Sequence, residues 1–360
     1  MAETVSPEQW ETIRAAAAAG GALLLVDKAS GWTSHDTVAR SRRVFGTKKI
    51  GHAGTLDPLA TGLLILGVGP ATRLLTHLVG LPKTYTATIR LGQRTVTDDS
   101  EGETVEQADR GALDAALDPE RLQRAVAALN GEIMQVPTAV SAIKVNGQRA
   151  YNLVRAGQDV DLKARPVTIH SFTVGEPRLI ETPAGPAVEL EASVDCSSGT
   201  YVRALARDLG EALGVGGHLT ALRRTAVGPF RVTEAVSSAE LDRAARWIAA
   251  ERGIVPRGSE KTADQVLAEM LAEYGEIDFS AINPLTPGSA AQRLWPVLEL
   301  DTDQAVAIRH GKRLRLPAGA AEHELAAAVD PQGRLAAMVR VTDGEVRVVT
   351  GFAMSVERAE

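Results

Sequence analysis

Two periodicities divide the chain. Lys83–Leu91 alternates, with Tyr85, Ala87, Ile89 and Leu91 on one side, and predicts a half-buried strand. The continuous apolar runs Ala22–Val26 and Leu63–Leu66 predict buried strands. Pro166–Val174, Ala187–Cys196, Leu219–Ala226 and Phe230–Val236 read as further strands. Val136–Val145 reads as another, followed by an Asn146-Gly147 turn and a short helix over Gln148–Ala156. Helical spacing fits Thr4–Ala19, stopped by Gly20 and Gly21 and expected to be a surface appendage. Thr33 or Ser34 can cap a helix reaching Phe45, with Val38 and Phe45 on its inner face. Pro70 opens a helix to about Val79. Pro119–Leu129 places Leu122, Val126 and Leu129 inward, and Gly199 or Thr200 starts a helix to Leu213. Strands interleaved irregularly with helices predict an α+β fold with a mixed, largely antiparallel sheet.

The texture changes at Ser237. Ser238–Ala250 and Thr262–Tyr274 read as helices joined by the polar Arg252–Lys261 stretch, and Pro284, Pro287, Gly288 and Ser289 read as a linker. Short alternating runs follow (Val297–Leu300, Arg334–Val341, Val346–Phe352) and predict a small β-rich domain. The expected division is an extension over 1–21, a main domain over 22–245, a helical insertion or linker over 246–293, and a β-rich domain over 294–360. No internal repeat is visible.

Composition adds little to the fold but narrows the chemistry. The 360 residues are 44% hydrophobic and 23% charged, ordinary for a globular protein. No apolar run reaches the roughly 20 residues of a membrane span. No secretory signal is seen, and Cys196 is the only cysteine, which fits a reducing cytoplasm. Formal net charge is -6, yet Thr37–His52 holds Arg40, Arg42, Arg43, Lys48 and Lys49 without an acid. Such a block is either a solvated helix face or a phosphate-contacting surface. Asp98, Asp99, Glu101 and Glu103 form an acidic loop. Phosphate-loop, dinucleotide, serine-hydrolase and zinc-protease signatures are absent, and the seven histidines are scattered. Cys196 reads as a small buried thiol.

What is left is Asp57, on a loop broken by Gly51, Gly54 and Gly62, stiffened by Pro58 and anchored by Leu63–Leu66. An oriented, ionised carboxylate can be a covalent nucleophile, and Asp-Pro is equally a common turn pair. A distant arginine such as Arg203 could hold it ionised, or Arg203 could pair with Asp208 or Glu211 on its own helix. Tyr85 suits core packing or base stacking, and Tyr201 suits packing.

The string Gly51-His52-Ala53-Gly54-Thr55-Leu56-Asp57-Pro58-Leu59-Ala60-Thr61-Gly62 resembles the signature of the bacterial tRNA pseudouridine-55 synthase family. Lys83-Thr84-Tyr85, the stretch from Val136 to Tyr151, Gly199-Thr200-Tyr201-Val202-Arg203 and Leu219–Thr225 resemble its later motifs, in order. The resemblance spans roughly Leu23 to Phe230, and less firmly the β-rich tail, which is similar to a PUA-type RNA-binding domain.

The resemblance implies isomerisation of the T-loop uridine at position 55 of tRNA, on a flipped-out base, with no cofactor and no metal. Asp57 would be the nucleophile and Arg203 its ion-pair partner. Tyr85 would stack on the base and serve the proton step at the product's carbon. Tyr201 and Leu222 would line the uracil pocket, and His52 would fill the space the base leaves. Base extrusion costs a few kcal/mol, and aromatic stacking returns on the order of 1–3 kcal/mol per base. RNA contacts are expected from Arg42, Lys48, Lys49, Lys144 and Arg223, with Arg40, Arg155 and Arg224 on the same faces. In the terminal domain they are expected from Gly311, Lys312 and Arg313. The partner would be the tRNA T-arm, with no membrane, no obligate protein partner and a monomeric chain in the cytoplasm. A tRNA-folding chaperone role is implied beside catalysis, and a guide-RNA-dependent synthase shares the Asp motif.

Overall fold

The computed structural model describes residues 4–138, 144–145, 148–149, 162–255, 258–317 and 319–352. They form an α+β fold divided into two compact units. One comprises Met1–Pro58, Gly62–Val79 and Pro229–Glu360; the other comprises Leu59–Thr61 and Gly80–Gly228.

The first unit is built on the buried run Ala22–Lys28, which pairs antiparallel with Thr61–Val68 from Ala22↔Val68 to Lys28↔Gly62. Val236–Ser237 adds a parallel neighbour, and Ile50–His52 pairs antiparallel on the far side with His52 opposite Leu66. Thr33 caps the helix Ser34–Phe45 in a capping box with Asp36, and Val38 and Phe45 are buried on it. The amino-terminal helix Pro7–Gly20 is no surface appendage. Trp10, 1% exposed, stacks on Phe279 at 5.2 Å and meets Phe45 edge-on at 5.4 Å. These partners lie far away in sequence, so the helix looked unanchored when read alone.

The carboxy-terminal part of this unit holds a five-stranded sheet, ordered Val297–Glu299, His323–Val329, Leu335–Thr342, Glu345–Gly351 and Leu314–Arg315. Its core includes Leu300, Ile308, Val339, Val341 and Val346. The segment read as a linker contains a helix instead, Pro287–Gln292, capped by Thr286 with proline in its first turn. Phe230–Val236 is not one strand either, because the 3-10 turn Val232–Glu234 interrupts it.

The second unit carries a sheet in the order Gly217–Val227, Lys83–Leu91, Gly185–Cys196, Arg165–Val174, Gly131–Gln135. Lys83–Leu91 sits between two antiparallel neighbours, and every second side chain from Lys83 to Leu91 is buried. The helix Val202–Ala212 packs close to the strand Gly217–Val227. A Cβ added at Gly210 would lie 2.2 Å from the Gly216 carbonyl carbon, so only glycine fits there. Of the strand expected over Val136–Val145, residues 136–138 are not strand, residues 139–143 lie outside the described residues with the expected Asn146-Gly147 turn, and Lys144–Val145 is a strand. A strand also runs earlier, over Gly131–Gln135, and Pro137 has no N–H to continue its ladder. Lys144–Val145 and Gln148–Arg149 pair as a short hairpin, where a helix was expected to begin at Gln148. The rest of that expected helix, and Arg155, lie outside the described residues.

Candidate active site

Asp57 sits between the strands Ile50–His52 and Thr61–Val68, half-buried, on a loop whose backbone is fixed on both sides of it. Leu56 is bound twice by one hydroxyl. Ser34 Oγ accepts from the Leu56 N–H at 2.9 Å and donates to the Leu56 carbonyl at 3.0 Å. Pro58 is bound from the other direction, its carbonyl accepting from the Gly31 N–H at 2.9 Å and from Lys28 Nζ at 3.2 Å. Lys28 is fully buried, and its ammonium also donates to the carbonyls of Trp32 at 2.6 Å and Ala29 at 3.0 Å. A buried ammonium needs such carbonyls to replace lost water. Gly54 and Gly62, each at φ +97, turn the loop where a side chain would be strained.

His52, half-buried at the end of Ile50–His52, belongs to the first unit with Asp57, whereas Tyr85, Tyr201, Arg203 and Leu222 belong to the second. Tyr85 lies on Lys83–Leu91, 7% exposed, opposite Val194 on one side and Arg224 on the other. Leu222 lies on Gly217–Val227 opposite Ala87, half-buried, and its carbonyl accepts from Thr61 Oγ1 at 3.4 Å. Arg223 donates to the same hydroxyl at 3.5 Å. Tyr201 is the N-cap residue of the helix Val202–Ala212, and Arg203 stands in its first turn, 6% exposed.

Arg203 reaches out of its own helix. Its Nη1 donates to Asp99 Oδ2 at 3.2 Å and to the Thr97 carbonyl at 3.0 Å. One turn on, Arg207 takes Asp98 at 3.2 Å, Asp208 at 2.8 Å and Glu211 at 4.0 Å. Half of the expected acidic loop is therefore interior, with Asp98 7% and Asp99 2% exposed. Thr97 Oγ1 donates to Asp99 Oδ1 at 2.5 Å, and the Thr95 hydroxyl binds the Asp99 carbonyl at 2.7 Å. Burial raises the Asp98 carboxyl above its ordinary value, against the pull of Arg207. Burial, with Arg224 second, pushes the Lys83 ammonium down to about 8. Cys196 is a buried thiol raised to about 11 by burial, which fits its reading as a core residue.

The expected RNA-facing cations divide. Lys48, Lys49 and Lys312 are exposed, and Arg42 is half-buried. Lys144 begins the short hairpin strand at 144–145. One neighbour is not a surface contact as expected, since Arg224 is 1% exposed; Arg40 is partly exposed and lies 3.9 Å over the Trp32 ring and 2.6 Å from Asp242. Sequence reasoning missed Lys28, Ser34, Gln135, Asp98, Asp99 and Arg207. The one available signal was the spacing of Arg203 and Arg207, which puts both on one helix face.

Residues 42–202 match the amino-terminal domain of the TruB family pseudouridylate synthases. Residues 203–271 match a tRNA pseudouridylate synthase B carboxy-terminal domain, and residues 295–353 match the carboxy-terminal domain of tRNA pseudouridine synthase II. A tRNA pseudouridine synthase B of Arthrobacter sp. (strain FB24) is 49% identical over 93% of this chain and 98% of its own. One of Thermobifida fusca (strain YX) is 46% identical over 92% of this chain and 99% of its own. Among solved structures, an H/ACA ribonucleoprotein bound to a substrate RNA containing 2'-deoxyuridine shares the fold. Its TM-score is 0.61 at 22% identity, over 98% of this chain and 90% of its own. A Cbf5-Nop10-Gar1 complex does so with a TM-score of 0.60 at 24% identity, over 94% and 87%. The chain belongs to the TruB family of pseudouridylate synthases.

Proposed function

We propose that this chain isomerises the T-loop uridine at position 55 of tRNA to pseudouridine, with Asp57 as the nucleophile on a flipped-out base. The substrate assignment is supported by the curated relatives, which carry the name tRNA pseudouridine synthase B at 45–49% identity over most of the chain. The observation that carries the role of Asp57 is its bracketed loop. Leu56 and Pro58 are both bound by buried polar groups, and the carboxylate between them stays half-exposed. A nucleophile must be held in one orientation and still meet its substrate.

The base leaves its stack, and Tyr85 stacks on it and serves the proton step at the product's carbon. Tyr201 and Leu222 line the uracil pocket, and Arg203 keeps Asp57 ionised. His52 fills the space vacated by the base. The N-glycosidic bond breaks, the uracil turns, and a C–C bond to the ribose replaces it. Nothing is oxidised or reduced, and no external group is consumed. Lys48, Lys49, Arg42, Lys144, Arg223 and Lys312 contact the RNA backbone.

The chain acts on free tRNA as a monomer, without a guide RNA. The solved H/ACA relatives work in complexes, so turnover on an unmodified transcript with no added partner separates the two modes. Loss of pseudouridine with Asp57→Ala, and retained tRNA binding with Asp57→Asn, are the expected results. Assistance to tRNA folding is a second activity of the same bound state. It should survive in Asp57→Asn, measured as the rate at which misfolded transcript becomes chargeable.

A further inference from the structure

The structure assigns Gln135 as a positioning residue for catalysis, acting through the backbone of Tyr201. Gln135 is the last residue of the strand Gly131–Gln135 and is 1% exposed. Its side-chain oxygen accepts from the Tyr201 N–H at 2.9 Å, and its side-chain nitrogen donates to the Tyr201 carbonyl at 3.1 Å. Both peptide groups of one residue are thus held by one carboxamide. A carboxamide sets an acceptor and a donor side by side on one planar group, and Asn would carry it one methylene shorter.

Tyr201 is where this matters. It is the N-cap residue of Val202–Ala212, in extended conformation at φ -103 and ψ 106, and its side chain makes no capping bond. The helix start therefore lacks the usual side-chain cap, and the amide of Gln135 fixes its first residue from across the unit. Arg207, on the same helix, donates to the carbonyl of Val136 at 2.8 Å, so strand end and helix are joined at two successive residues. Arg203 stands in the first turn, its guanidinium held by Asp99 and Thr97. A shift of the helix start would move Tyr201 and Arg203 together. The assignment rests on the reading of Tyr201 as a wall of the uracil pocket.

The test compares single-turnover rates and tRNA affinity for wild type, Gln135→Ala, Gln135→Met, Tyr201→Leu and the Gln135→Ala/Tyr201→Leu double variant. All are assayed well below their melting temperatures. Gln135→Met nearly keeps the volume and removes both bonds to Tyr201 without leaving a cavity, so it serves where Gln135→Ala folds poorly. We expect each Gln135 variant to slow the chemical step on the order of 10–100-fold, the scale of an ångström's misplacement. Affinity should stay within about threefold of wild type, since the lost contact is not to RNA. The double variant should lose less than the two single losses combined, because part of the Gln135 effect passes through Tyr201 and only the part carried by Arg203 remains. Wild-type rates in the folded Gln135 variants, or additive losses in the double variant, would overturn the inference while leaving the pocket intact. A wild-type rate for Tyr201→Leu would overturn the pocket reading itself, and the inference with it.

Discussion

The Asp57 loop and the start of the Arg203 helix are fixed by opposite means. Around Asp57 the binding groups reach the peptide backbone of its neighbours: one serine hydroxyl on Leu56, one amide and one ammonium on the Pro58 carbonyl. Around Arg203 they are charges, two carboxylates and two guanidiniums packed into the interior of one unit. Backbone binding sets where a residue stands without using its side chain to do so. Ion pairing commits the side chain itself and makes each charge depend on its partner. A half-exposed acid that must attack a substrate suits the first arrangement; a buried cation suits the second.

The largest expected difference follows from removing one partner on each side. Asp99→Ala would leave the Arg203 guanidinium buried without this carboxylate and should cost about 3–5 kcal/mol in denaturant unfolding. Ser34→Ala orphans only the N–H and carbonyl of Leu56, at about 1–3 kcal/mol, but should slow turnover more than its stability loss explains. Equal costs for the two would erase the distinction. A pH titration sharpens it further. Lys83 loses its proton at about 8 in the folded state and near 10.5 unfolded, so the unfolded chain binds more protons between those values. Stability should therefore rise from pH 8 towards 10.5, and Lys83→Met should flatten that rise. The smallest effect belongs to the surface. Asp242→Ala, which releases Arg40, should cost no more than about 1 kcal/mol. Lys49→Ala should lower the salt slope of tRNA affinity by about one unit with little change in stability.

How far the sequence revealed these parts depended on how local their signals are. Lys83–Leu91 was legible because its alternation is complete, and burial follows it residue by residue. The start of the helix ending at Phe45 was legible to within Thr33 or Ser34, because a capping residue stands immediately before the periodic run, and Thr33 is the one that caps. His323–Val329 was not, since its alanines carry no strand preference and are buried as an inner member of the five-stranded sheet. Pro287 and Gly288 read as a linker, although Thr286 makes proline the first residue of a helix. Asp98 and Asp99 read only as part of an acidic loop because their neutralising arginines come from 109 and 104 positions further on, a separation no local pattern encodes. At the candidate site the motif pointed to Asp57, but the groups that hold its loop, Lys28 and Ser34, carried no sequence signal of their own. Nor did Gln135, whose role depends on a backbone contact.

The most direct measurement of the central claim is the mapping of pseudouridine in unmodified tRNA transcript after incubation with wild type, Asp57→Asn and Asp57→Ala, without partner proteins or added metal. The account predicts a single modified position, in the T loop, with wild type, and none with either variant, while Asp57→Asn binds the transcript as tightly as wild type. Pseudouridine formed at the wild-type rate by Asp57→Ala would contradict it.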